Sequence, residues 1–227
     1  SIKNAFTDFV PFIIVGSFGT LLNSLIANQK TGLAQWIPLL ANLKPAFDVL
    51  SFATVSCMTI PIVFLIAMHL AKDNEMPQFT TGVLSLCAYL TVVPSTVTVI
   101  KEELKGTAAG LGTSSLGAQG LFVGMLIAVV VAQSFNKLMK IEKIKIKMPS
   151  SVPKGIAISF NTLIPIFIIL VLSAVFGNLF KLGTGYYLNE WIYSVAQAPL
   201  EVIFQSSLGI IFMAILSQLF WFLGIHG

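Results

Sequence analysis

The chain has 227 residues, of which 56% are hydrophobic and only 10% are charged, whereas about a quarter of the residues in an ordinary soluble domain carry charge. Too few charges are present to cover a water-exposed fold, and the excess of apolar residues excludes intrinsic disorder. All 13 basic residues are lysines against nine carboxylates, which gives a net charge of +4. Nucleic-acid recognition normally uses arginine forks. We therefore expect a membrane protein of several spans with no nucleic-acid partner.

Six apolar stretches are long enough to span a bilayer, which takes about 20 residues to cross about 30 Å of hydrocarbon. In chain order they are 9–27, 47–71, 79–100, 108–133, 156–180 and 202–223. Because lipid cannot pair with free backbone groups, all six are predicted to be helices. The alternating ten-residue segments of a β-barrel are missing. The predicted fold class is an all-α polytopic membrane protein with about six transmembrane helices.

Prolines and glycines are expected to change the bending and packing of these helices locally. Prolines lie within or near the starts of four helices and are expected to bend them: Pro11, Pro61, Pro94 and Pro165. Gly120 and Gly124 form a small-xxx-small pair in the fourth stretch. Such a pair predicts that another helix packs closely there, within the protomer or across a dimer.

The connector 136–155 divides the chain into a four-span part, 1–135, and a second part, 156–227. It carries six lysines and the single acid Glu142, so the positive-inside rule predicts that it is cytoplasmic. Its run 143–148 alternates charged and apolar residues, which favours a short strand. Lys143, Lys145 and Lys147 either form a docking surface for an anionic partner or lie in a solvated loop against anionic lipid headgroups.

An amphipathic helix is predicted between the fifth and sixth stretches. Tyr187, Trp191 and Ala198, with Ser194 or Val195, fall on one helical face. Aromatic rings favour the level of the lipid headgroups. We expect this helix to lie on the outer surface of the membrane.

Motifs of soluble enzymes are missing from the sequence: it has no Walker loop, zincin pair, nucleophile elbow or Cys-x-x-Cys. Cys57 and Cys87 lie in apolar stretches without metal-ligand spacing and are expected to be small buried hydrophobic residues. His69 lies beside Lys72 and Asp73 and is interpreted as an interfacial residue. No metal or cofactor is expected.

His226 is the candidate that could carry chemistry. Gly224 and Gly227 flank it, at the end of an apolar stretch that contains Gln218 and Trp221. Backbone that leaves a helix at membrane depth is tolerated only when protein or a wet cavity encloses it. A neutral imidazole can donate and accept hydrogen bonds, and an indole can stack on a sugar ring, so together they suit a polyhydroxylated ligand. Alternatively, the last helix merely ends near the cytoplasmic surface.

The segment around this histidine resembles a transporter family. Trp221-Phe222-Leu223-Gly224-Ile225-His226-Gly227 is similar to the W-F-x-G-I-H-G signature of enzyme IIC, the sugar-transport subunit of the bacterial phosphotransferase system, in its lactose, cellobiose and diacetylchitobiose branch. Three further stretches resemble the first, fourth and fifth spans of that family: 2–17, 116–122 and 152–165.

The resemblance implies a homodimeric permease of about ten spans in the bacterial inner membrane, with re-entrant segments that bind a β-linked disaccharide. The chain would be its first half or slightly more, with the dimer contacts in 1–135 and the start of the sugar-binding part in 156–227. His226 would be the catalytic residue and would contact the sugar together with Trp221 and Gln218. The acidic residue of the family lies in an N-x-G-E-P motif that this sequence lacks.

The mechanism that the resemblance implies is group translocation. A phosphocysteine on cytoplasmic enzyme IIB would phosphorylate the sugar during transport, so the membrane subunit is a permease component and the partner is the phosphodonor. Two other classes remain open: an ion-coupled secondary transporter and a membrane scaffold without a ligand. The first predicts an ionisable pair buried in the spans, and the second predicts no polar cluster near His226.

Overall fold

The computed structural model describes residues 2–101, 104–146, 149 and 152–222, and side chains are described for all of these except 99–101, 104, 105, 154, 197, 198, 200 and 216–222. Ten α-helices are present in this part of the chain. They are α1 (Ile2–Leu22), α2 (Lys44–Ser51), α3 (Thr59–Asp73), α4 (Gln78–Val92), α5 (Thr113–Leu116), α6 (Ala118–Met139), α7 (Lys154–Thr184), α8 (Leu188–Ile192), α9 (Ala198–Gln205) and α10 (Ser207–Phe222).

Shorter helical turns and one hairpin complete the described structure. Segments of 3-10 helix are Leu33–Gln35, Pro38–Leu43 and Glu142–Ile144, and segments of π-helix are Asn23–Ala27, Phe52–Ser56 and Tyr193–Gln197. The hairpin consists of strands β1 (Thr96–Lys101) and β2 (Leu104–Ala109).

Four helical segments among the described residues are long and apolar enough to span a membrane: Ile2–Ala27, Pro38–Asp73, Ala118–Met139 and Gly155–Thr184. A fifth apolar helix, Gln78–Val92, is shorter. The predicted class of an all-α polytopic membrane protein is confirmed. Backbone groups pair within each helix, so an apolar run can enter hydrocarbon only in this form.

The core lies where α3, α4 and α6 pack together, and α3 is its central helix. Ile62, Val63 and Ile66 of α3 are fully buried, as are Tyr89 of α4 and Val123 of α6. α1 packs on the other side of α3, and α7 packs on α4 and α6. This bundle is the rigid base from which the later helices extend.

The predicted close approach at Gly120 and Gly124 is confirmed, and it occurs within the protomer. A Cβ atom at Gly124 would lie 2.6 Å from Val63 Cγ2 and 2.9 Å from Thr59 Cγ2, while one at Gly120 would meet the Tyr89 hydroxyl and the Ser115 carbonyl. Only hydrogen side chains allow α6 to lie this close to α3.

The predicted limits of the third and fourth spans are wrong between residues 93 and 117. α4 ends at Val92, two residues before Pro94, and the chain then forms the antiparallel hairpin. Its register runs from Thr96 opposite Ala109 to Lys101 opposite Leu104. Proline cannot continue the helix, and β-branched residues at alternating positions favour strands. α6 accordingly begins at Ala118 rather than near residue 108.

Three other predicted elements differ in detail. The second span contains a π-helical turn, Phe52–Ser56, between α2 and α3. The sixth consists of α9 and α10, which are separated at Ser206. In the connector, the predicted strand is absent from the described residues 143–146, where a 3-10 turn, Glu142–Ile144, occurs instead. The Glu142 carboxylate pairs with Lys145 three residues later, which stabilises a turn rather than an extended chain.

Candidate functional site

The helices that lead to the predicted sugar-binding residues meet at a sharp break. Ser206 separates α9 from α10, and its hydroxyl oxygen accepts a hydrogen bond from the backbone N–H of Gly209 at 3.0 Å. The same hydroxyl donates to the carbonyl of Ile203 at 2.6 Å. The serine therefore caps the first turn of α10 while binding the last turn of α9.

Gly209 makes this break possible. It is buried, and a Cβ atom at this position would collide with the carbonyl oxygen of Ile203. The backbones of the two helices are therefore in contact without an intervening side chain. Broken helices of this kind are tolerated in membranes where neighbouring protein or a cavity satisfies the freed backbone groups.

The predicted sugar-binding residues lie at and beyond the end of α10. The backbone at Gln218 and Trp221 belongs to this helix, three residues apart, a spacing that places two positions on one face of a helix. The side chains of both residues, and the whole of His226, lie outside the described part of the chain. Their role in the site stays a prediction.

α8 joins the bundle to these later helices, and a buried hydrogen bond anchors it. Asn189 of α8 is 3% exposed, and its Nδ2 donates to Ser115 Oγ at 3.2 Å. Ser115 is itself 1% exposed, and its carbonyl accepts from the Tyr89 hydroxyl. Thr59 Oγ1 donates to the carbonyl of Gly117 at 2.7 Å. We call Thr59, Tyr89, Ser115 and Asn189 the interhelical polar cluster.

This cluster was not predictable from the sequence, because its members come from four helices far apart in the chain. Buried polar groups need partners, and a polar pair removed from water strongly favours the one geometry that satisfies it. Thr113-Ser114-Ser115 directly before the Gly117 break was the available signal, since such hydroxyl groups can pair with freed backbone groups. Through the hydrogen bond between Asn189 and Ser115, the cluster joins α8 to α5.

The predicted amphipathic helix is helical, and its aromatic residues pack on the end of α7. Leu188–Ile192 is followed by the π-helical turn Tyr193–Gln197. The rings of Trp191 and Phe180 meet edge to face, with centroids 5.7 Å apart. Lys181 Nζ donates to the Tyr187 hydroxyl at 2.8 Å and lies 4.1 Å from the centre of that ring. The interfacial position of this helix stays a prediction.

Tyr193 and Glu201 connect this turn to α9. The Tyr193 hydroxyl donates to Glu201 Oε2 at 3.0 Å. This hydrogen bond to the carboxylate raises the pKa of Tyr193, because it stabilises the protonated phenol and a second negative charge beside the carboxylate is unfavourable. The tyrosine therefore stays protonated and continues to donate to Glu201 through neutral pH.

The proposed docking lysines have different surroundings. Lys143 is exposed, Lys145 is half-buried, and its Nζ is paired with the Glu142 carboxylate. Lys147 lies outside the described residues. Of the three proposed docking lysines, Lys143 is therefore an exposed ammonium and Lys145 belongs to an ion pair.

His69, interpreted from the sequence as an interfacial residue, has a carboxylate partner. Its Nε2 lies 2.7 Å from Asp8 Oδ2, and the two side chains are 15% and 51% exposed. The pair joins α3 to the first turns of α1. The sequence analysis missed Asp8, since 61 residues separate it from His69.

A polar groove separates α1 from α2 at the opposite end of the bundle from His69. Its volume is about 400 Å³, and its polar lining includes Thr20, Asn23, Asp48 and Ser51. The Asp48 carboxylate accepts from Asn23 Nδ2 and pairs with Lys44 at 3.0 Å. The carboxylate is thus already satisfied by neighbours on both helices.

A model of the family described as "Phosphotransferase system, EIIC" matches residues 3–227. The chain belongs to this family. The EIIC assignment confirms the resemblance found at the W-F-x-G-I-H-G segment. It also extends the match through the bundle, the connector and the helices up to His226.

Three curated relatives match this EIIC chain over most or all of its length. The oligo-β-mannoside-specific EIIC component of Bacillus subtilis (strain 168) is 28% identical over 227 residues, covering 100% of this chain and 50% of the relative. The cellobiose-specific EIIC component of Geobacillus stearothermophilus is 28% identical, covering 100% and 51%. The lactose-specific EIICB component of Lacticaseibacillus casei is 31% identical, covering 69% and 26%.

A solved structure shares the fold. The crystal structure of the transporter ChbC, the IIC component of the N,N'-diacetylchitobiose-specific phosphotransferase system, superposes with a TM-score of 0.81 at 29% identity. The superposition covers 96% of this chain and 51% of ChbC. This EIIC chain spans about half the length of ChbC and of the first two curated relatives described above.

Proposed function

We propose that this chain is the N-terminal half of a subunit that transports a β-linked disaccharide across the bacterial inner membrane, coupled to its phosphorylation. The observation that carries the proposal is the superposition on ChbC, a IIC transporter, over 96% of the chain. Relatives specific for cellobiose and oligo-β-mannosides match the whole chain. Cellobiose, diacetylchitobiose and lactose are the sugars to test first.

In this proposal His226 orients the sugar hydroxyl that is phosphorylated, and Trp221 and Gln218 bind the sugar. The break at Ser206 supports this assignment, because it starts a new helix that ends at Phe222, four residues before the histidine in the sequence. An indole face covers the apolar face of a pyranose, while amide and imidazole groups pair with hydroxyl groups. In the alternative, a helix that simply ends at the cytoplasmic surface, these groups would pair with water instead of sugar.

The proposed chemical step is phosphoryl transfer from a phosphocysteine of enzyme IIB. The P–S bond breaks, a P–O bond forms to the sugar hydroxyl, and the thiolate leaves. The hydroxyl proton passes to a carboxylate, which the family resemblance assigns to the N-x-G-E-P motif. Positioning and charge neutralisation supply most of the catalysis in such loose transfers, and an imidazole that fixes the hydroxyl contributes to positioning.

The proposed orientation and assembly follow the lysine pattern and the family resemblance. The connector 136–155 faces the cytoplasm, and its lysines Lys143, Lys145 and Lys147 steer phosphorylated enzyme IIB to the permease. The working unit is a homodimer in the lipid bilayer. Cross-linking of the full-length protein in native membranes tests the dimer, and a species of monomer mass at all cross-linker concentrations would contradict it.

The decisive experiment uses the full-length protein in proteoliposomes that contain phosphorylated enzyme IIB. Radiolabelled cellobiose, diacetylchitobiose and lactose are supplied outside, and the internal sugar is separated into free and phosphorylated forms. We expect phosphorylated sugar to accumulate only with the phosphodonor. Free sugar that accumulates against its gradient when an ion gradient replaces enzyme IIB would establish an ion-coupled transporter instead. If the protein binds none of the sugars and no uptake occurs in either condition, the result would favour a membrane scaffold without a ligand.

A further inference from the structure

A long apolar groove runs between α6 and α7 on the membrane-facing side of the bundle. Its volume is about 590 Å³, within the range of about 300 to 1,000 Å³ typical of small-molecule sites. Leu126 and Val130 of α6 and Leu172 and Phe176 of α7 line it and are 45%, 58%, 62% and 49% exposed. The groove is therefore open at the surface of the described part of the chain, and apolar walls of this kind favour an apolar occupant over water.

The floor of the groove is well packed. Val131 and Ile169, which also line it, belong to the buried cluster between α4, α6 and α7. Gly177 lets α7 come so close to α4 that a Cβ atom there would lie 2.8 Å from the Thr91 carbonyl. α7 is thereby held against α4, and this packing leaves space between α7 and the outer face of α6.

One end of the groove is polar and positively charged. Ser134 and Lys137 line it where α6 approaches the connector, and Lys137 is exposed. In the part of the chain that the structure describes, Lys137 has no carboxylate partner. Leu188 and Ile192 of α8 line the other end, which follows the far end of α7.

The dimensions of the groove match one leaflet of a bilayer. From Leu126 to Lys137, α6 rises about 17 Å, and half of the hydrocarbon layer is about 15 Å thick. An acyl chain along the groove would therefore place its headgroup level with the lysine. Basic pockets between transmembrane helices on the cytoplasmic side bind anionic headgroups.

We propose that this groove binds an anionic phospholipid of the cytoplasmic leaflet, with one acyl chain between α6 and α7 and the phosphate at Lys137. The apolar walls supply contact area for the acyl chain, and the Ser134 hydroxyl can donate a hydrogen bond to a phosphate or ester oxygen. The ammonium of Lys137 distinguishes an anionic headgroup from a zwitterionic one. The described lining includes none of the proposed sugar-binding residues, and the proposal does not depend on which sugar is transported.

The test uses the full-length protein, purified in detergent, delipidated and then mixed with phosphatidylglycerol or phosphatidylcholine of identical acyl chains. Native mass spectrometry counts the lipids retained per protomer. We expect at least about fivefold stronger retention of phosphatidylglycerol, since a lysine near an anionic headgroup contributes about that factor. Lys137→Gln should remove the preference, and Lys137→Arg should keep it.

Matched variants distinguish a specific lipid-binding site from general electrostatic attraction of anionic lipid to the basic connector. Lys140→Gln removes the same charge one turn further along, outside the groove lining, and should keep the preference. Ser173→Trp fills the groove and should reduce retention of both lipids, whereas Val171→Trp, on the exposed face of the same helix, should not. Thermal unfolding of each variant shows whether it is folded.

Three results would overturn the proposal. Retention of phosphatidylglycerol by folded Lys137→Gln at the wild-type level would remove the headgroup site. An equal loss in Lys140→Gln would indicate diffuse attraction to the basic connector. Cross-linking from Leu172→Cys in native membranes to a second copy, or to another segment of the same chain, would show that protein rather than lipid covers the groove.

Discussion

Single glycines decide how closely the helices of this bundle approach one another. Gly124 lies against Val63 and Thr59 of α3, both β-branched residues whose side chains have little freedom to move aside. Gly183, near the end of α7, has no atom within 4 Å of the position where its Cβ would be. The same substitution at the two sites therefore differs only in the space available.

We predict that Gly124→Ala destabilises the full-length protein by about 1 to 2 kcal/mol, because an added methyl group overpacks a close contact. Gly183→Ala should be neutral or stabilising by up to about 1 kcal/mol, since alanine favours a helix over glycine. Unfolding in detergent, followed by circular dichroism, measures both. Equal stability of the two variants would mean that α3 and α6 do not pack as described.

The two histidines of the chain form a natural pair for testing the sugar site. We predict that His226→Ala in the full-length protein weakens disaccharide binding at least about tenfold, since hydrogen bonds to a buried polar ligand are costly to leave unmade. His69→Ala should keep wild-type affinity, because His69 is paired with Asp8 of α1 and has no part in the proposed site. Equilibrium binding of labelled sugar measures both, and wild-type affinity in His226→Ala would remove it from the site.

The contacts of a single residue are predictable from the sequence when its partners are close to it along the chain. The pairing of Gly120 and Gly124 was predictable because four-residue spacing alone brings them to one face. The contact between Asn189 and Ser115 was not, since 74 residues separate them and only the packing of α8 on the bundle brings them together. For the same reason the sequence provided no indication of Asp8 beside His69.

Among the elements, the break between α9 and α10 is the feature closest to the proposed site. Gly209→Ala would place a methyl group against the carbonyl oxygen of Ile203, and backbone cannot move aside as a side chain can. We predict that the variant remains folded in its bundle but binds sugar at least about tenfold more weakly, because small misplacements of site residues are costly.

The control for this variant is Gly155→Ala. Gly155 also lies in the first turn of a helix, α7, and no atom lies within 4 Å of where its Cβ would be. It should bind sugar as the wild type does. If Gly209→Ala bound sugar equally well, the geometry of the break would have no part in substrate binding.

The connector provides the second prediction for an element. We predict that the combined change Lys143→Gln, Lys145→Gln and Lys147→Gln raises the KM for phosphorylated enzyme IIB on the order of tenfold at low ionic strength. The difference should shrink at high salt, where charges are screened. Because Lys145 is already paired with Glu142, it should contribute least of the three when changed alone.

The matched control neutralises three lysines outside the connector: Lys30, Lys101 and Lys105. It removes the same total charge, and sugar phosphorylation in proteoliposomes reports both combinations. A KM that rises equally in the control would mean that net charge, rather than the connector, attracts enzyme IIB.

The hairpin illustrates why the limits of the elements were harder to predict than their number. Hydropathy counts Val97 and Val99 as continuing the apolar run of α4, although β-branched residues at alternating positions favour a strand. Pro94 and the threonines between the valines were the available signals. The antiparallel pairing with residues 104–109 then satisfies backbone groups that the helix would otherwise have paired.

For the whole molecule, the prediction to test is orientation. In a background of Cys57→Ser and Cys87→Ser, which removes both half-buried native thiols, single cysteines replace Lys140 or the exposed Thr31. A membrane-impermeant maleimide should label Thr31→Cys in intact spheroplasts and Lys140→Cys only after permeabilisation. The reverse labelling would invert the topology and move the connector to the outer surface.

The whole-molecule class was the part most fully determined by sequence. Long apolar runs with few charges predict helices, because a helix pairs its own backbone groups in lipid. The signature near His226 indicated the branch of the EIIC family. The packing of these helices was not predictable from composition. That α3 lies at the centre and that α7 packs on α4 depend on which small residues of one helix face another helix. The chain spans about half of the length of these relatives, and the proposed role of His226 in sugar binding stays a prediction.

The length of α7 has a consequence for how this helix crosses the bilayer. Its 31 residues extend about 46 Å, well beyond the hydrocarbon thickness of about 30 Å. Its first described turns present the exposed apolar side chains Ile156, Ile158 and Phe160, which favour lipid over water. Because an apolar helix longer than the hydrocarbon layer is accommodated by tilting, α7 is expected to cross the bilayer at an angle to the membrane normal.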